Sequence, residues 1–360
     1  MVAPESIECC LRRQAEKAAS RVALTGPGRT PLSYSQLESL SARISATLNE
    51  FGVGRNHRVA LALPTGPEAL TCLLSVLRCA IALPLNPAGC EPEFKAQLTR
   101  LKADCLMVEP VGVGAAAAAA RSLGIPVITV IPDLEAPAGT VTVQPEALLG
   151  PPFSCSFAQP GSLAVVMQTS GTTGMPRKVP LTHANLCAVS RAFIASLRLL
   201  PEDRLLGAIP IYHITGVAFV FNTVISGSSL CAAPGFYGAR LADWMDEYRP
   251  SWIFASPASL RELVHHMKSR RDVIARCPLR LIRSGASAVP AQLQMEAEEV
   301  FQVPVVVGYG MTEAASFIAC NPLPPAVRKP GSVGLPIGPE VMVLLPSGRP
   351  AAIGQQGKIV

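Results

Sequence analysis

One segment of this sequence consists largely of glycine and small hydroxyl-bearing residues. Residues 168–183 read QTSGTTGMPRKVPLTH, after an apolar run that is typical of a strand. The segment contains five consecutive small or hydroxyl-bearing residues: Ser170, Gly171, Thr172, Thr173 and Gly174. Such residues pack a core poorly, but their backbone N–H groups and hydroxyls can surround phosphate oxygens. The lysine spacing excludes a Walker A loop. The segment indicates a phosphate-binding loop of another kind, and a flexible surface loop is the structural alternative.

Three further segments place polar or aromatic residues near apolar runs. They read PIYHITG at residues 210–216, SGASAVP at 284–290 and GYGMTEA at 308–314. Taken singly each is weak, because a lone histidine after a strand is more often an ordinary structural residue. A Thr-Glu pair in a loop is equally unspecific by itself.

Together the four segments resemble the adenylate-forming superfamily of acyl-CoA synthetases, adenylation domains and luciferases. The family signature TSGTTGxPKG is matched in full over residues 169–176. Arg177 stands where the family usually has lysine and keeps the positive charge, while Lys178 replaces the usual glycine. The resemblance covers essentially the whole chain. It implies an α/β fold with two stacked sheet-and-helix subdomains and the start of a small β-barrel.

The resemblance also implies roles for individual residues. Tyr309 would stack on adenine, Thr312 would touch the α-phosphate, and Glu313 would hold Mg²⁺. An acid that holds a hard cation would neutralise the triphosphate while a carboxylate attacks it. His213 would line the acyl pocket, and with Thr312 and Glu313 it completes the predicted catalytic set. The predicted nucleotide-binding residues are Thr169, Ser170, Gly171, Thr172, Thr173, Gly174, Arg177, Gly285, Ala286, Ser287, Tyr309, Gly310 and Met311.

The implied reaction uses ATP, Mg²⁺ and coenzyme A to activate a small-molecule carboxylic acid. The acid would form an acyl-adenylate, and the acyl group would then pass to the thiol of coenzyme A. Two alternatives stay open: transfer to the phosphopantetheine arm of a carrier protein, and a non-catalytic nucleotide-binding fragment.

The branch that this sequence resembles further is the oxalate–CoA ligase-like group. That group usually has histidine where Ser316 stands and serine where Ala286 stands. Both changes remove polar groups suited to a small dicarboxylate. The run 211–219 is largely apolar, and whichever of its side chains face the cavity would desolvate a second carboxylate without pairing it. These observations predict an apolar or aromatic monocarboxylic acid in preference to oxalate, with core packing as the alternative role of the run.

Strand-like and helix-like segments alternate along the chain, which predicts parallel sheets layered by helices. Ser33 and Gln36 predict a capping box, and Thr182 predicts a second helix cap. Expected strands include residues 59–63, 81–85, 106–108, 125–130, 163–167, 205–209, 252–254, 279–282 and 303–307. Expected helices include residues 68–79, 93–101, 115–120 and 291–301. Two sheets packed around shared helices would account for this repetition.

The expected division places a first α/β subdomain at residues 1–160, a second at 161–338 and the start of the β-barrel at 339–360. The Pro-, Ala- and Ser-rich residues 132–160 are expected to connect the subdomains. Val360 falls in a strand-like run, so the chain is expected to be a fragment of a longer protein. The mobile C-terminal lid of the family would be absent from it, which predicts little activity for these residues alone.

Composition favours a cytoplasmic enzyme. Hydrophobic residues make up 49% of the chain and charged residues 16%, with a net charge of +6. The basic residues are scattered, which argues against nucleic-acid binding. The eleven cysteines form no CxxC pair, which favours reduced buried thiols. Neither a secretory signal nor a membrane span is expected. A peroxisomal address at a true C-terminus is the alternative location.

Overall fold

The computed structural model describes residues 4–110, 114–154, 157–169, 176–235 and 238–360. It confirms the alternation of helices and strands. The helices are α1 Ile7–Lys17, α2 Tyr34–Glu50, α3 Pro67–Cys79, α4 Glu91–Leu101, α5 Ala115–Ser122, α6 His183–Leu197, α7 Ile214–Ser226, α8 Gly238–Tyr248, α9 Pro257–Met267, α10 Arg271–Arg276 and α11 Ala291–Phe301.

The strands belong to two large sheets and one small pair. They are β1 Val22–Thr25, β2 Leu32–Ser33, β3 Arg58–Ala62, β4 Ile81–Pro84, β5 Cys105–Val108, β6 Val127–Pro132, β7 Val141–Pro145, β8 Leu163–Thr169, β9 Arg177–Thr182, β10 Arg204–Gly207, β11 Ser229–Ala232, β12 Trp252–Ala255, β13 Leu281–Ser284, β14 Val305–Tyr309, β15 Ala319–Cys320, β16 Leu335–Pro336, β17 Val343–Leu344 and β18 Lys358–Ile359.

Both helix caps predicted from sequence are confirmed. The Ser33 hydroxyl accepts a hydrogen bond from the Gln36 N–H at 3.3 Å, and the Gln36 side chain accepts one from the Ser33 N–H at 2.8 Å. Thr182 and Asn185 make the same reciprocal pair at the start of α6. These bonds satisfy N–H groups that the first helical turn leaves without partners.

The seven-stranded sheet has the order β7-β6-β5-β3-β4-β8-β9. Its five inner strands are parallel, and the edge strands β7 and β9 are antiparallel to their neighbours. Both edges correct the sequence analysis. Residues 177–182, expected as part of a loop, form β9, and the expected connection 132–160 contains β7. Proline and polar residues in these segments hid strands that only pairing along one edge stabilises.

The nine-stranded sheet has the order β16-β15-β14-β13-β12-β10-β11-β1-β2. Its six strands from β14 to β1 are parallel. Strands β13 and β14 each begin two residues later than expected, at Leu281 and Val305, and end at Ser284 and Tyr309. Arg283, which the expected bounds left outside the strand, is therefore inside β13.

The layers follow the order helix, sheet, helix, sheet, helix. One apolar cluster between the sheets joins Leu61 of β3 to Trp252 of β12 and includes residues of α2, α3, α6 and α7. A second cluster lies beneath α8, α9 and α11, and a third beneath α4 and α5. The expectation of two sheets packed around shared helices is confirmed. Burying both faces of each sheet explains why the inner strands are continuous apolar runs.

The sheets do not follow the chain order strictly. Strands β1 and β2 near the N-terminus join the nine-stranded sheet, while β8 and β9 join the seven-stranded sheet. The division at residue 160 stays a prediction. Residues 343–344 and 358–359 form the small antiparallel pair β17–β18. In the described part of the chain, no helix has the length and apolar character needed to cross a bilayer.

Candidate active site

A cavity of about 450 Å³ opens where the two sheets meet. Its wall is built mainly from residues at the carboxyl ends of β10, β12, β13 and β14, and β8 of the other sheet adds Met167 and Gln168. Carboxyl ends of parallel strands are the usual position of ligand sites in open α/β sheets. Six residues predicted for the site line this cavity: His213, Gly285, Ala286, Gly310, Met311 and Thr312. Three of the four motifs are therefore brought together.

The phosphate-loop motif lies between β8 and β9. The antiparallel register pairs Thr169 with Arg177, so the two ends of the motif are adjacent. The predicted residues Ser170, Gly171, Thr172, Thr173 and Gly174 lie outside the described residues. Arg177 is exposed, and its strand lies against the turn Thr312–Ala314. The structure thus brings the strand that begins at Arg177 against the turn that contains the acidic residue of another motif.

The motif GYGMTEA leaves β14 through a tight loop. A 3-10 turn spans Thr312–Ala314, and the Met311 carbonyl accepts hydrogen bonds from the Ala314 and Ser316 N–H groups, both at 3.1 Å. A Cβ atom on Gly310 would lie 1.4 Å from the Ser316 carbonyl oxygen, so only glycine fits there. Glycine at this position therefore permits the close packing of the loop, in which Met311 and Thr312 line the cavity.

Ala315 and Ser316 have φ values of +53° and +96°, and Ala286 in the facing loop has +72°. Left-handed backbone is costly for residues with a side chain and is often found at functional sites. Two of these three strained residues, Ala286 and Ser316, line the cavity. They are also the two positions at which the sequence departs from the oxalate–CoA ligase-like pattern.

Glu313 is exposed beside the cavity, although it is not one of the residues that line it. Its carboxylate makes no hydrogen bond or ion pair with any described residue. Mg²⁺ in phosphate-transfer sites is commonly held by one or two carboxylates together with substrate phosphates. A single free carboxylate next to the basic strand β9 fits that requirement. Among the described residues no cluster of three or more His, Cys, Asp or Glu could hold a metal.

The segment PIYHITG turns the chain from β10 into α7. The His213 N–H donates to the Pro210 carbonyl at 3.1 Å, and the Gly216 N–H donates to the His213 carbonyl at 2.9 Å. A Cβ on Gly216 would lie 2.2 Å from the Pro210 oxygen. Glycine is thus required for the turn that places His213 at the cavity. His213 is exposed at the cavity wall, where partial desolvation by neighbouring atoms lowers its pKa below the usual value, so the imidazole is neutral at pH 7.

Other predicted residues flank the cavity without lining it. Tyr309 is half-buried at the end of β14, where it pairs with Ala319. Ser287 is exposed in the loop after β13. Their contacts with a nucleotide stay predictions, as do those of Thr169 and Arg177.

Aromatic side chains support the cavity from below. Phe317 stacks on Phe193 with ring centroids 4.0 Å apart, and Phe219 contacts Phe254 edge-on at 5.1 Å. Phe254 and Phe317 line the cavity, whereas Phe219 belongs to the core between the sheets. Rigid, interlocked rings fix the floor more firmly than flexible side chains would.

The apolar run 211–219 serves mainly as core. Ile214 lines the cavity, while Ile211, Val217, Ala218 and Phe219 are at most 2% exposed within the main cluster. The alternative role of the run, core packing, therefore applies to most of its apolar residues. The cavity is less apolar than the sequence suggested.

The sequence analysis missed several polar residues of the wall. They are Gln168, Thr215, Ser256, Ser259 and Arg283. Arg283 had a detectable signal, because it is a charged residue inside the strand-like run LRLIRS, where a buried strand normally has none. Gln168 and Thr215 lie within motifs that the sequence analysis singled out, although no role was predicted for them. Ser256 and Ser259 carried no signal, because they follow a strand in which no motif was recognised.

Comparison with known proteins agrees with this geometry. The model of the family described as AMP-binding enzyme matches residues 11–360. A probable CoA ligase CCL9 from Humulus lupulus is 30% identical over 358 residues, which covers 97% of this chain and 67% of the relative. An oxalate–CoA ligase from Arabidopsis thaliana is 29% identical over 362 residues, or 99% of this chain and 70% of the relative.

Similarity extends to a solved structure of a long-chain-fatty-acid–CoA ligase, FadD1, from Archaeoglobus fulgidus. The TM-score is 0.87 at 21% identity, with 100% of this chain and 75% of that chain covered, which supports the fold alone. The chain spans about two thirds of the length of the two relatives above. The matched family model, the two-sheet fold and the gathered motifs place this chain in the family of AMP-binding, adenylate-forming enzymes.

Proposed function

We propose that this chain provides the nucleotide and acyl sites of an acid–thiol ligase. In the first step a carboxylate oxygen of the acid attacks the α-phosphorus of ATP, and pyrophosphate leaves. In the second step the thiol of coenzyme A attacks the acyl carbon of the adenylate, AMP leaves, and the thiol proton is released. The relatives' names, which refer to CoA ligases, support coenzyme A as the acceptor over a carrier-protein arm.

One observation carries the proposal: a single cavity joins the carboxyl ends of four strands of one sheet to β8 of the other. Three motifs line it, and β9, which lies within the fourth segment at residues 168–183, is in contact with the turn that holds Glu313. A reaction between a triphosphate and an acid needs both reactants held together in the correct orientation. The cavity between these motifs could hold the triphosphate and the acid next to each other.

Charge distribution supports the roles of the phosphate-side residues. Arg177, at the start of β9, would contact the phosphate oxygens as a bidentate donor. Glu313 would hold Mg²⁺, which neutralises charge on the triphosphate when bound. Thr312 lies at the cavity wall, where its hydroxyl can donate to the α-phosphate. These assignments use one exposed cation, one free carboxylate and one hydroxyl from adjacent segments.

The acyl-side residues have a different role. His213 presents a neutral imidazole, which can donate one hydrogen bond and accept another but adds no charge. It would line the entrance for the acid. Tyr309 would stack on adenine, and the small residues Gly285, Ala286 and Ser287 would leave room for the base. The protein is proposed to act in the cytoplasm.

The chain itself allows a direct test. Titration calorimetry with ATP and Mg²⁺ should show binding, and Arg177→Met should weaken it by roughly tenfold, as expected for loss of a charged hydrogen bond. Lys178→Met is the matched control, because its strand position alternates with that of Arg177 and the motif gives Lys178 no role. Equal weakening by both variants would show that general positive charge, and no specific contact, binds the nucleotide.

A further inference from the structure

Helix α6 contacts the N-terminal segment of the chain along one of its faces. His183, Cys187 and Arg191 follow each other at intervals of four residues, so they lie on the same side of α6. At one end of this row the Ile7 N–H donates to Nδ1 of His183 at 3.5 Å, and at the other end Arg191 forms an ion pair with Glu5. Cys187 lies between these two contacts and faces the same segment.

The residue that meets Cys187 is Cys10 of α1. Both residues are 0% exposed and belong to the apolar cluster between the sheets. The two thiols are free, and a hydrogen bond joins their side chains. A disulfide needs two sulfur atoms that the native fold brings together, and this pair meets that requirement across two separate helices.

A small charged network covers Cys10. Nη2 of Arg13 donates to Sγ of Cys10 at 3.4 Å, and Sγ donates to Oε2 of Glu5 at 3.8 Å. The side chains of Glu5 and Arg13 are 21% and 38% exposed, so solvent reaches the groups that touch the buried thiol. A guanidinium group beside a thiol stabilises the thiolate, and the carboxylate can accept the proton. Transient opening of this network exposes Cys10 to small molecules in solution.

The two thiols differ in how readily they ionise. The hydrogen bond from Cys187 lowers the pKa of Cys10 and outweighs the opposing effect of burial. The two nearby arginines add to the lowering, and the Glu5 carboxylate opposes it. The same hydrogen bond, together with burial, raises the pKa of Cys187. Cys10 is therefore the thiol that becomes a nucleophilic thiolate, while Cys187 keeps its proton as the hydrogen-bond donor.

We propose that Cys10 and Cys187 form a redox-modification site, at which hydrogen peroxide converts the two thiols into a disulfide that ties α1 to α6. The Cys10 thiolate attacks one peroxide oxygen, an S–O bond forms, the O–O bond breaks, and the other oxygen leaves as water with the proton that Cys10 released. The Cys187 sulfur then attacks the Cys10 sulfur, the S–O bond breaks, and the hydroxyl group leaves as water with the Cys187 proton. The two sulfurs lose two electrons, and the peroxide is reduced to two water molecules. A small thiol reverses the bond by exchange.

The disulfide would join parts of the molecule that support the candidate site. Helix α6 follows β9 directly, and its Phe193 stacks on Phe317 of the cavity. A covalent link from α1 to α6 closes a long loop of chain, which favours the folded state by restricting the unfolded chain. The inference concerns a modification of the protein and does not depend on the proposed function.

Peptide mapping of the whole chain tests the proposal. The chain is reduced, freed of reductant, treated with a small excess of hydrogen peroxide and then blocked with N-ethylmaleimide. After tryptic digestion without reductant, the main disulfide should join residues 1–12 to residues 179–191, and dithiothreitol should separate them. The oxidised chain should melt about 5 °C above the reduced chain. The same treatment in urea should not favour this pair over other cysteines.

Variants assign the cross-link to the two buried thiols. Cys9 provides the matched control, because it is exposed next to Cys10 on α1 and lies in the same tryptic peptide. Cys9→Ser should keep the cross-link and the rise in melting temperature, whereas Cys10→Ala and Cys187→Ala should lose both. The unaltered chain and Cys9→Ser test the pair without any change in the core.

Four results would overturn the proposal. A cross-link that persists in Cys10→Ala would assign it to Cys9. Equal cross-linking in the native chain and in urea would show random pairing among the eleven cysteines. Complete blocking of Cys10 and Cys187 by maleimide after peroxide treatment would show that the native packing does not let the bond form. A cross-linked chain that melts below the reduced chain would show that the bond distorts the fold.

Discussion

The two ends of the nine-stranded sheet differ in how an arginine side chain is paired. At the amino ends of the strands, Arg280 donates to both carboxylate oxygens of Asp203 at 2.6 and 2.8 Å. The Ser251 hydroxyl donates to Asp203 at 2.6 Å and the Leu200 N–H at 2.7 Å. At the carboxyl end, three residues along the same segment, Arg283 has no carboxylate partner among the described residues.

The difference separates a charge that the fold neutralises from a charge that has no carboxylate partner among the described residues. Burial would raise the pKa of Asp203, but hydrogen bonds from Arg280, Ser251 and the Leu200 N–H outweigh it and hold the pKa below its usual value. That network is closed and joins segments at the base of β10, β12 and β13. The opposite end combines an open guanidinium with left-handed backbone at Ala286 and Ser316. Strain and unpaired charge occur together where ligand contacts can compensate them.

The largest expected effect is on turnover at the carboxyl end. In a protein that also carries the predicted lid, Glu313→Gln should lower acid-dependent pyrophosphate exchange by about 10² or more, since one charge contact in a transition state is worth ~2.7–4 kcal/mol. The melting temperature should not change, because Glu313 is exposed and unpaired. Exchange at the original rate would remove Glu313 from the site and weaken the contrast between the two ends.

At the amino end the expected effect is on stability. Asp203→Asn should lower the free energy of unfolding by about 2–3 kcal/mol, because a buried carboxylate is lost and Arg280 keeps a charge without its partner. Urea unfolding of the chain measures this value. ATP affinity should stay the same. If Asp203→Asn and Arg283→Met gave the same profile of stability and ligand binding, the distinction between the two ends would be wrong.

A buried histidine away from both ends provides a pH-dependent comparison. His183 is fully buried, accepts a 3.5 Å hydrogen bond from the Ile7 N–H, and has its pKa lowered from 6.5 to about 4 by burial. In the unfolded chain His183 binds a proton below about pH 6.5, whereas in the folded chain it binds this proton only below about pH 4. Stability should therefore fall by about 2 kcal/mol between pH 7 and pH 5 through this residue.

The measurement is urea unfolding at pH 7 and pH 5 for the chain and for His183→Gln. The variant cannot take up this proton, so its stability should depend less on pH. An identical pH dependence in both proteins would show that other groups, such as the paired carboxylates, dominate.

The smallest effect is expected at an ordinary helix cap beside the first β-strands. Ser33→Ala removes one half of the capping box of α2 and should cost about 1 kcal/mol of stability. Thermal unfolding should show a small decrease in melting temperature with no change in ATP affinity. A larger loss than that of Asp203→Asn would place more of the stability in local helix signals than in the network at the amino end.

Much of the fold could be predicted because its signals are local. The capping pairs Ser33–Gln36 and Thr182–Asn185 each lie within four consecutive residues, and buried parallel strands appear as short apolar runs. The edge strands β7 and β9 were missed because they lack such local signals. Each pairs with a neighbour on one side only, so its composition is close to that of a loop.

The motifs of the candidate site were also visible in the sequence, since small, hydroxyl-bearing and acidic residues followed strand-like runs. The sequence did not show that these motifs lie around one cavity. The cavity joins Gln168, His213 and Thr312, which lie on segments from both sheets. Residue type and spacing can indicate a phosphate loop, but the wall opposite it depends on how the sheets pack.

By itself, the sequence determined the α/β alternation, the helix caps and the four motifs that identify the family, because each depends on residues that are neighbours along the chain. Only the tertiary structure decided which of two arginines is neutralised. Arg280 meets a carboxylate 77 residues away in the chain, whereas Arg283 meets two glycines and a cavity. Charge pairing acts over a few ångströms of space and is independent of chain distance, so the folded arrangement alone sets it.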